Sequence, residues 1–190
     1  MKLLSEYLKE ESKTAHKAVE SASLLKLLMS DQLTETNYIK ILSIWLVYLS
    51  PIEKALDDYP EMTNSHEFLK DTPMSVRLSL DLAAFGRNEI KAVNSDKSFN
   101  SMAEVYATFY VVLGSMLGAQ FITKNLTQHD FITSNKLHFY NGYGKETMAV
   151  WKQFKSGLDN FGEKNPDQFE SVKQKVLQTF QEIQTRFSVN

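Results

Sequence analysis

Between residues 105 and 122 the chain carries 18 consecutive residues without a charged side chain, and within that run YVVLGSMLGAQF sets Gly114, Ser115, Gly118 and Ala119 at helical spacing. A helix apolar on nearly every side belongs at the centre of a helical domain or across a membrane. Thr108, Ser115, Gln120 and two tyrosines inside the run argue for the first. Each glycine within a helix costs about 1 kcal/mol relative to alanine, so two of them need a geometrical reason. The four small residues recur at i, i+1, i+4 and i+5 and therefore share one flat face. Such a face suits close helix–helix packing of the Gly-x-x-x-Gly kind, or a broad planar ligand lying against exposed backbone.

Around this segment the sequence reads as further amphipathic helices, and strand signals are nearly absent. A first helix is expected over residues 2–19, with Leu4, Leu8, Ala15 and Val19 on one face, and a short one over 23–29. Thr34 is positioned to cap a long helix that Pro51 kinks or interrupts. Residues 59–64 read as a loop, Pro73 restricts entry to a helix over 74–85, and Gly86 suits its C-terminal cap. Residues 94–100 are polar and turn-like, and the glycine-bearing helix is expected over 102–125. Asn141-Gly142-Tyr143-Gly144 punctuates before a helix over 145–160, and Pro166 opens the last one, with Phe169, Val172, Val176, Phe180, Ile183 and Phe187 in register. The expectation is one all-α domain spanning 1–190.

A hydrophobic content of 43% over 190 residues is enough for a substantial core. The net charge of −2, without a like-charged block, offers no footprint for nucleic acid. The absence of cysteine excludes disulfides, thiolate nucleophiles and cysteine-ligated metal. The opening MKLLSEYLKEESK turns highly charged after a very short apolar run, unlike a signal peptide, so a cytoplasmic location is expected.

Of the four histidines, His66 and His129 stand among polar residues where a solvated position is expected, and His138 lies on a mixed segment. His16 differs. It borders the apolar face of the first helix, with Glu20 one turn later, and a metal-binding imidazole needs an acceptor for its second N–H. Lys9 lies on the same stripe, about 10 Å along a continuous helix axis. No histidine is preceded at i−3 by glutamate, as carboxylate di-iron sites require.

LKEESKTAHKAVES at 8–21 resembles the proximal helix of heme oxygenases, and YVVLGSMLGAQFI at 110–122 resembles their glycine-rich distal helix, especially in bacterial members. RLSLDLAAFG at 77–86 and FYNGYGKETMAVWKQF at 139–154 agree, and the four segments stand in the family's order. The resemblance implies a multi-helix heme oxygenase-like bundle with heme between the first helix and a glycine-kinked distal helix. It implies oxidative cleavage of heme to biliverdin with release of CO and ferrous iron, using dioxygen and electrons from a reductase or ferredoxin.

Position by position, His16 matches the proximal iron ligand and Glu20 its accompanying carboxylate. Lys9 and Tyr110 match residues that contact heme propionates, with Lys152 in a similar place on a later helix. Gly114 and Gly118 match the distal glycines whose backbone approaches heme closely, while Ser115 and Ala119 complete that surface. Ser115 stands where animal relatives carry an aspartate, Ala119 replaces a second glycine, and Leu113 occupies a position where bacterial forms often place glutamate. A non-catalytic heme- or bilin-binding helical protein is the alternative.

Overall fold

The computed structural model describes residues 2–71, 73–90 and 97–188. Among them run α1 (Leu4–Glu11), α2 (Lys13–Glu20), α3 (Ser23–Leu27), α4 (Glu35–Lys54), α5 (Pro60–Ser65), α6 (Phe68–Asp71), α7 (Met74–Ala84), α8 (Met102–Ser115), α9 (Ala119–Leu126), α10 (His138–Asn141), α11 (Thr147–Lys164) and α12 (Phe169–Phe187). Short 3₁₀ turns join several of these, and the described residues contain no strand.

Local chemistry sets many of the ends. Thr34 Oγ1 accepts a hydrogen bond from Asn37 N at 3.2 Å and starts α4 as expected. Gly86, at φ +73°, ends α7, where Gly86 N donates to Ala83 O and Arg87 N to Leu82 O, both at 2.9 Å. That is the paired bonding of a Schellman cap, which a residue without Cβ adopts most readily.

Carboxylates from distant helices start two others. Asp159 of α11 accepts from Ser5 N at 2.7 Å and Ser5 Oγ at 2.9 Å, placing an anion at the positive end of α1, which has no side-chain cap of its own. Glu53 of α4 accepts from Met74 N at 2.6 Å and Ser75 N at 3.0 Å at the start of α7. Burial raises its carboxyl pKa although these bonds pull the other way.

Five expectations need correction. The helix over 2–19 divides at Ser12, where φ −96° and ψ 0° leave helical geometry and the hydroxyl donates back to Leu8 O at 2.7 Å. The helix over 102–125 divides at 116–118: Met116, Leu117, Gly118 and Ala119 each donate to the carbonyl three residues back, a tightened 3₁₀ turn. Pro51 lies inside α4 without ending it. Residues 59–64 are mostly helical, with Pro60 in the first turn of α5. The helix expected over 145–160 is shifted to Thr147–Lys164. Of the turn expected over 94–100, residues 94–96 lie outside those described, and the others are not helical.

The core forms around α8, whose residues from Val105 to Leu113 are all buried. Its most extensive partner is α12, which buries Val172, Val176, Phe180, Ile183 and Phe187 along one stripe. The stretch Met102–Leu126 is long and apolar enough to cross a membrane, yet 61% of its most apolar window lies inside the fold. A core helix is what that burial describes. α1 lies against α11 at Gly162, where an added Cβ would stand 2.7 Å from Leu4 Cβ.

Candidate functional site

A cavity of about 480 Å³ opens between α2–α3 on one side and α8–α9 on the other, with its far wall built by α4, α10 and α12. Its size falls within the range of roughly 300–1,000 Å³ typical of small-molecule and cofactor sites. Most of its lining is apolar, from Val19, Leu28, Val111, Ile122, Phe139 and Phe180 among others. Among the described residues that line it, His16 is the one histidine, Lys26 the one lysine or arginine and Glu20 the one carboxylate.

On the α2 side, His16 Nδ1 stands 3.4 Å from Glu20 Oε1, one helical turn away. Both side chains are more than half exposed, so the pair adds little to folding stability. The pair places an acceptor on the Nδ1 side of the ring. The ring is held from α12 by an edge contact with Phe180, centroid to centroid 5.7 Å.

The opposite side brings Gly114, Ser115, Gly118 and Ala119 together on the cavity although the helix breaks between them. The break keeps them adjacent because the tight turn covers few residues. An added Cβ at Gly118 would meet only Ser115 O, at 3.7 Å, so the space beside this backbone is unfilled by protein. At Gly114 it would touch the Trp151 ring at 3.6 Å, so the first glycine also accommodates α11. Ser115 Oγ donates to Val112 O at 2.7 Å, leaving its lone pairs as acceptors. Leu113 is buried and absent from the lining.

Three residues expected at the site lie elsewhere. Lys9 is exposed on α1 and does not line the cavity. Tyr110 is buried, with its ring 5.6 Å from Trp151, and Lys152 is exposed on α11. Neither lines the cavity.

Other lining residues were not singled out from the sequence. Lys26, on the short α3, lies at an exposed position beside Met29, and Phe121 stands at the rim with 72% of its surface exposed. Trp45 and Tyr140 close the inner wall. Tyr140 and Phe139 ride on α10, which Asp81 of α7 holds through the His138 and Phe139 amides. Burial raises the Asp81 pKa against the pull of those hydrogen bonds and of His138. A lone cation in an apolar helix and two aromatics before Asn141-Gly142 were the only signals available.

His66 reverses its expectation. It is buried, Nδ1 lies 3.0 Å from Met62 O, and Gly157 makes room for it: a Cβ there would lie 2.6 Å from Nε2. His129 is half-buried beside Phe131, and His138 is half-buried against Asp81.

The fold has counterparts among solved structures. The NO- and CO-bound heme oxygenase from Neisseria meningitidis is similar with a TM-score of 0.80 at 18% identity, over 98% of this chain and 91% of that one. Heme oxygenase from Leptospira interrogans is similar with a TM-score of 0.72 at 20% identity, over 98% of this chain and 99% of that one. No curated protein sequence matches the chain. Residues 2–187 match the sequence profile of the family described as heme oxygenase, and the chain belongs to the heme oxygenase family.

Proposed function

We propose that this chain holds heme between His16 and the small-residue surface of Gly114, Ser115, Gly118 and Ala119, and degrades it to biliverdin, CO and ferrous iron. The observation that carries this reading is the apolar cavity onto which both surfaces open. Those residues fit the group: one imidazole with its Nδ1 side occupied, facing a wall where a side chain is missing and the space beside Gly118 is open. Heme, when bound, is both the substrate and the source of the iron chemistry that uses dioxygen and electrons.

The protein's part is positioning. His16 presents Nε2, and Glu20 keeps the proton on Nδ1. Gly114 and Gly118 let a flat molecule approach main chain, which fixes where its edge lies relative to the wall. The apolar lining excludes bulk water, and Ser115 Oγ is placed to accept a hydrogen bond from an ordered water at that wall. Lys26 offers its ammonium to a carboxylate at the mouth. The electron donor is a separate reductase or ferredoxin.

Titration of the purified chain with heme, followed by addition of a reductase and dioxygen, tests the reading. A histidine-ligated Soret spectrum and its conversion to biliverdin are expected. His16→Ala should lose that spectrum, and an unaltered spectrum in the variant overturns the assignment of His16. Stable heme binding without turnover would leave a carrier rather than an enzyme.

A further inference from the structure

His16 sits on a helix that gives it no rigid seat. α2 buries none of its own residues, packs mainly on α12, and leaves the His16 side chain 54% exposed. The torsion that turns an imidazole about its Cβ–Cγ bond has broad wells, so the side chain's own rotamer does not set the plane of the ring. Neighbours must set it. One is Glu20, whose Oε1 lies 3.4 Å from Nδ1, but its side chain is 65% exposed and rides on the same helix. A long exposed carboxylate keeps much of its rotamer freedom and turns with the ring it touches.

The other neighbour is Phe180. Its ring centroid lies 5.7 Å from that of the imidazole, with the planes at 70°, the edge geometry that aromatic pairs favour. Phe180 is 6% exposed and belongs to the buried stripe of α12, between Val176 and Ile183. α12 is packed in turn against the central α8. Side chains in such a core sit in single rotamers. Phe180 and His16 both line the cavity. Of these two contacts, Glu20 ties the imidazole to its own helix, and Phe180 refers it to the body of the fold.

Resting on the heme reading above, we infer that Phe180 is a positioning residue: it fixes the plane of the His16 imidazole and holds that plane once Nε2 is bound to iron. An imidazole interacts with iron through an orbital perpendicular to its own ring. The direction of the ring plane therefore makes the two in-plane axes of a porphyrin unequal. A fixed plane gives one uneven pattern of unpaired spin around the macrocycle, whereas a ring that turns averages the pattern toward fourfold symmetry. His16 supplies the bond, and Phe180 supplies its direction.

The test uses the ferric cyanide complex of the heme-loaded chain, in which proton NMR reads that pattern as the spread among the heme methyl shifts. Nuclear Overhauser contacts between the His16 and Phe180 ring protons are expected in the unaltered chain, and their absence overturns the inference without recourse to any variant. Phe180→Leu and Phe180→Met remove the ring and keep an apolar side chain, with thermal unfolding as the check that each folds. The spread should shrink in both. Ile122→Val trims the opposite wall, on α9, and should keep the spread of the unaltered chain. Equal shrinkage in Ile122→Val overturns the inference, as does weakened heme binding with an unchanged spread in the Phe180 variants, which is what lost packing alone produces. A spread and an affinity both unchanged would leave the plane to Glu20 and overturn it too. Failure of the unaltered chain to give a histidine-ligated heme spectrum overturns the proposed function instead.

Discussion

Asp81 caps α10 across 57 residues of sequence: its Oδ1 lies 2.8 Å from both His138 N and His138 Nδ1, and its Oδ2 accepts from Phe139 N at 2.9 Å. The carboxylate is wholly buried. A helix of four residues does not persist on its own, so this contact holds Phe139 and Tyr140 in the cavity wall. Asp81→Ala should lower the unfolding free energy by about 2–3 kcal/mol, read by denaturant titration, because buried donors lose their acceptor. Asp81→Asn keeps one acceptor and should recover part of that loss. A change in the alanine variant under about 0.5 kcal/mol, the level of an ordinary surface substitution, contradicts the capping role.

Two glycines are expected to separate binding from folding. Gly118 has helical φ and ψ with open space beside it, so Gly118→Leu should leave thermal unfolding nearly unchanged while abolishing heme uptake in a Soret titration. Gly162→Ala should do the reverse. Its Cβ would press on Leu4 at 2.7 Å, costing about 1–3 kcal/mol of stability, with heme affinity retained in the folded fraction.

Lys26 lines the cavity and Lys9 does not. Lys26→Ala should therefore weaken heme binding about three- to fivefold, the modest effect of an exposed charge pair, and the difference should shrink at high salt. Lys9→Ala should bind as the unaltered chain does. Equal losses for both lysines would move the carboxylate contacts back to the first helix.

His66 should make stability depend on pH. Burial lowers its pKa in the fold, with the Met62 carbonyl opposing. In the unfolded chain it titrates near its ordinary value of about 6.5, so below that pH the unfolded state binds more protons and stability falls. The contribution is present above about pH 6.5 and is lost as pH drops through the lowered folded value. In His66→Asn, whose amide can still reach Met62 O, this component of the pH slope should vanish from denaturant unfolding curves. An identical slope would assign the dependence to other groups.

The sequence conveyed what neighbouring residues decide. Thr34 as a cap, Gly86 as a stop and the shared face of Gly114, Ser115, Gly118 and Ala119 all follow from spacing and backbone preference. His16 and Glu20 are legible for the same reason, being one turn apart. Contacts between remote segments are a different matter. The polar neighbours of His66 suggest a wet surface, but Gly157, far along the chain, provides the niche that buries it. Lys9 shares a helical stripe with His16 in sequence, yet only His16 lines the cavity, because which part of a stripe meets a cavity is set by the helices packed around it. That Trp45 and Tyr140 meet on the inner wall of the cavity is likewise set by neighbours assembled in three dimensions, since they come from α4 and α10.

The turn at 116–118 divides one wall of the cavity into two rods that answer to different supports. α8 is clasped by α12, whereas α9 leans on α10. A rigid plate seated against Gly114 and Gly118 would bridge the joint and yoke the two rods. Seated there, it would tie the α9–α10 pair to the α8–α12 pair across that joint.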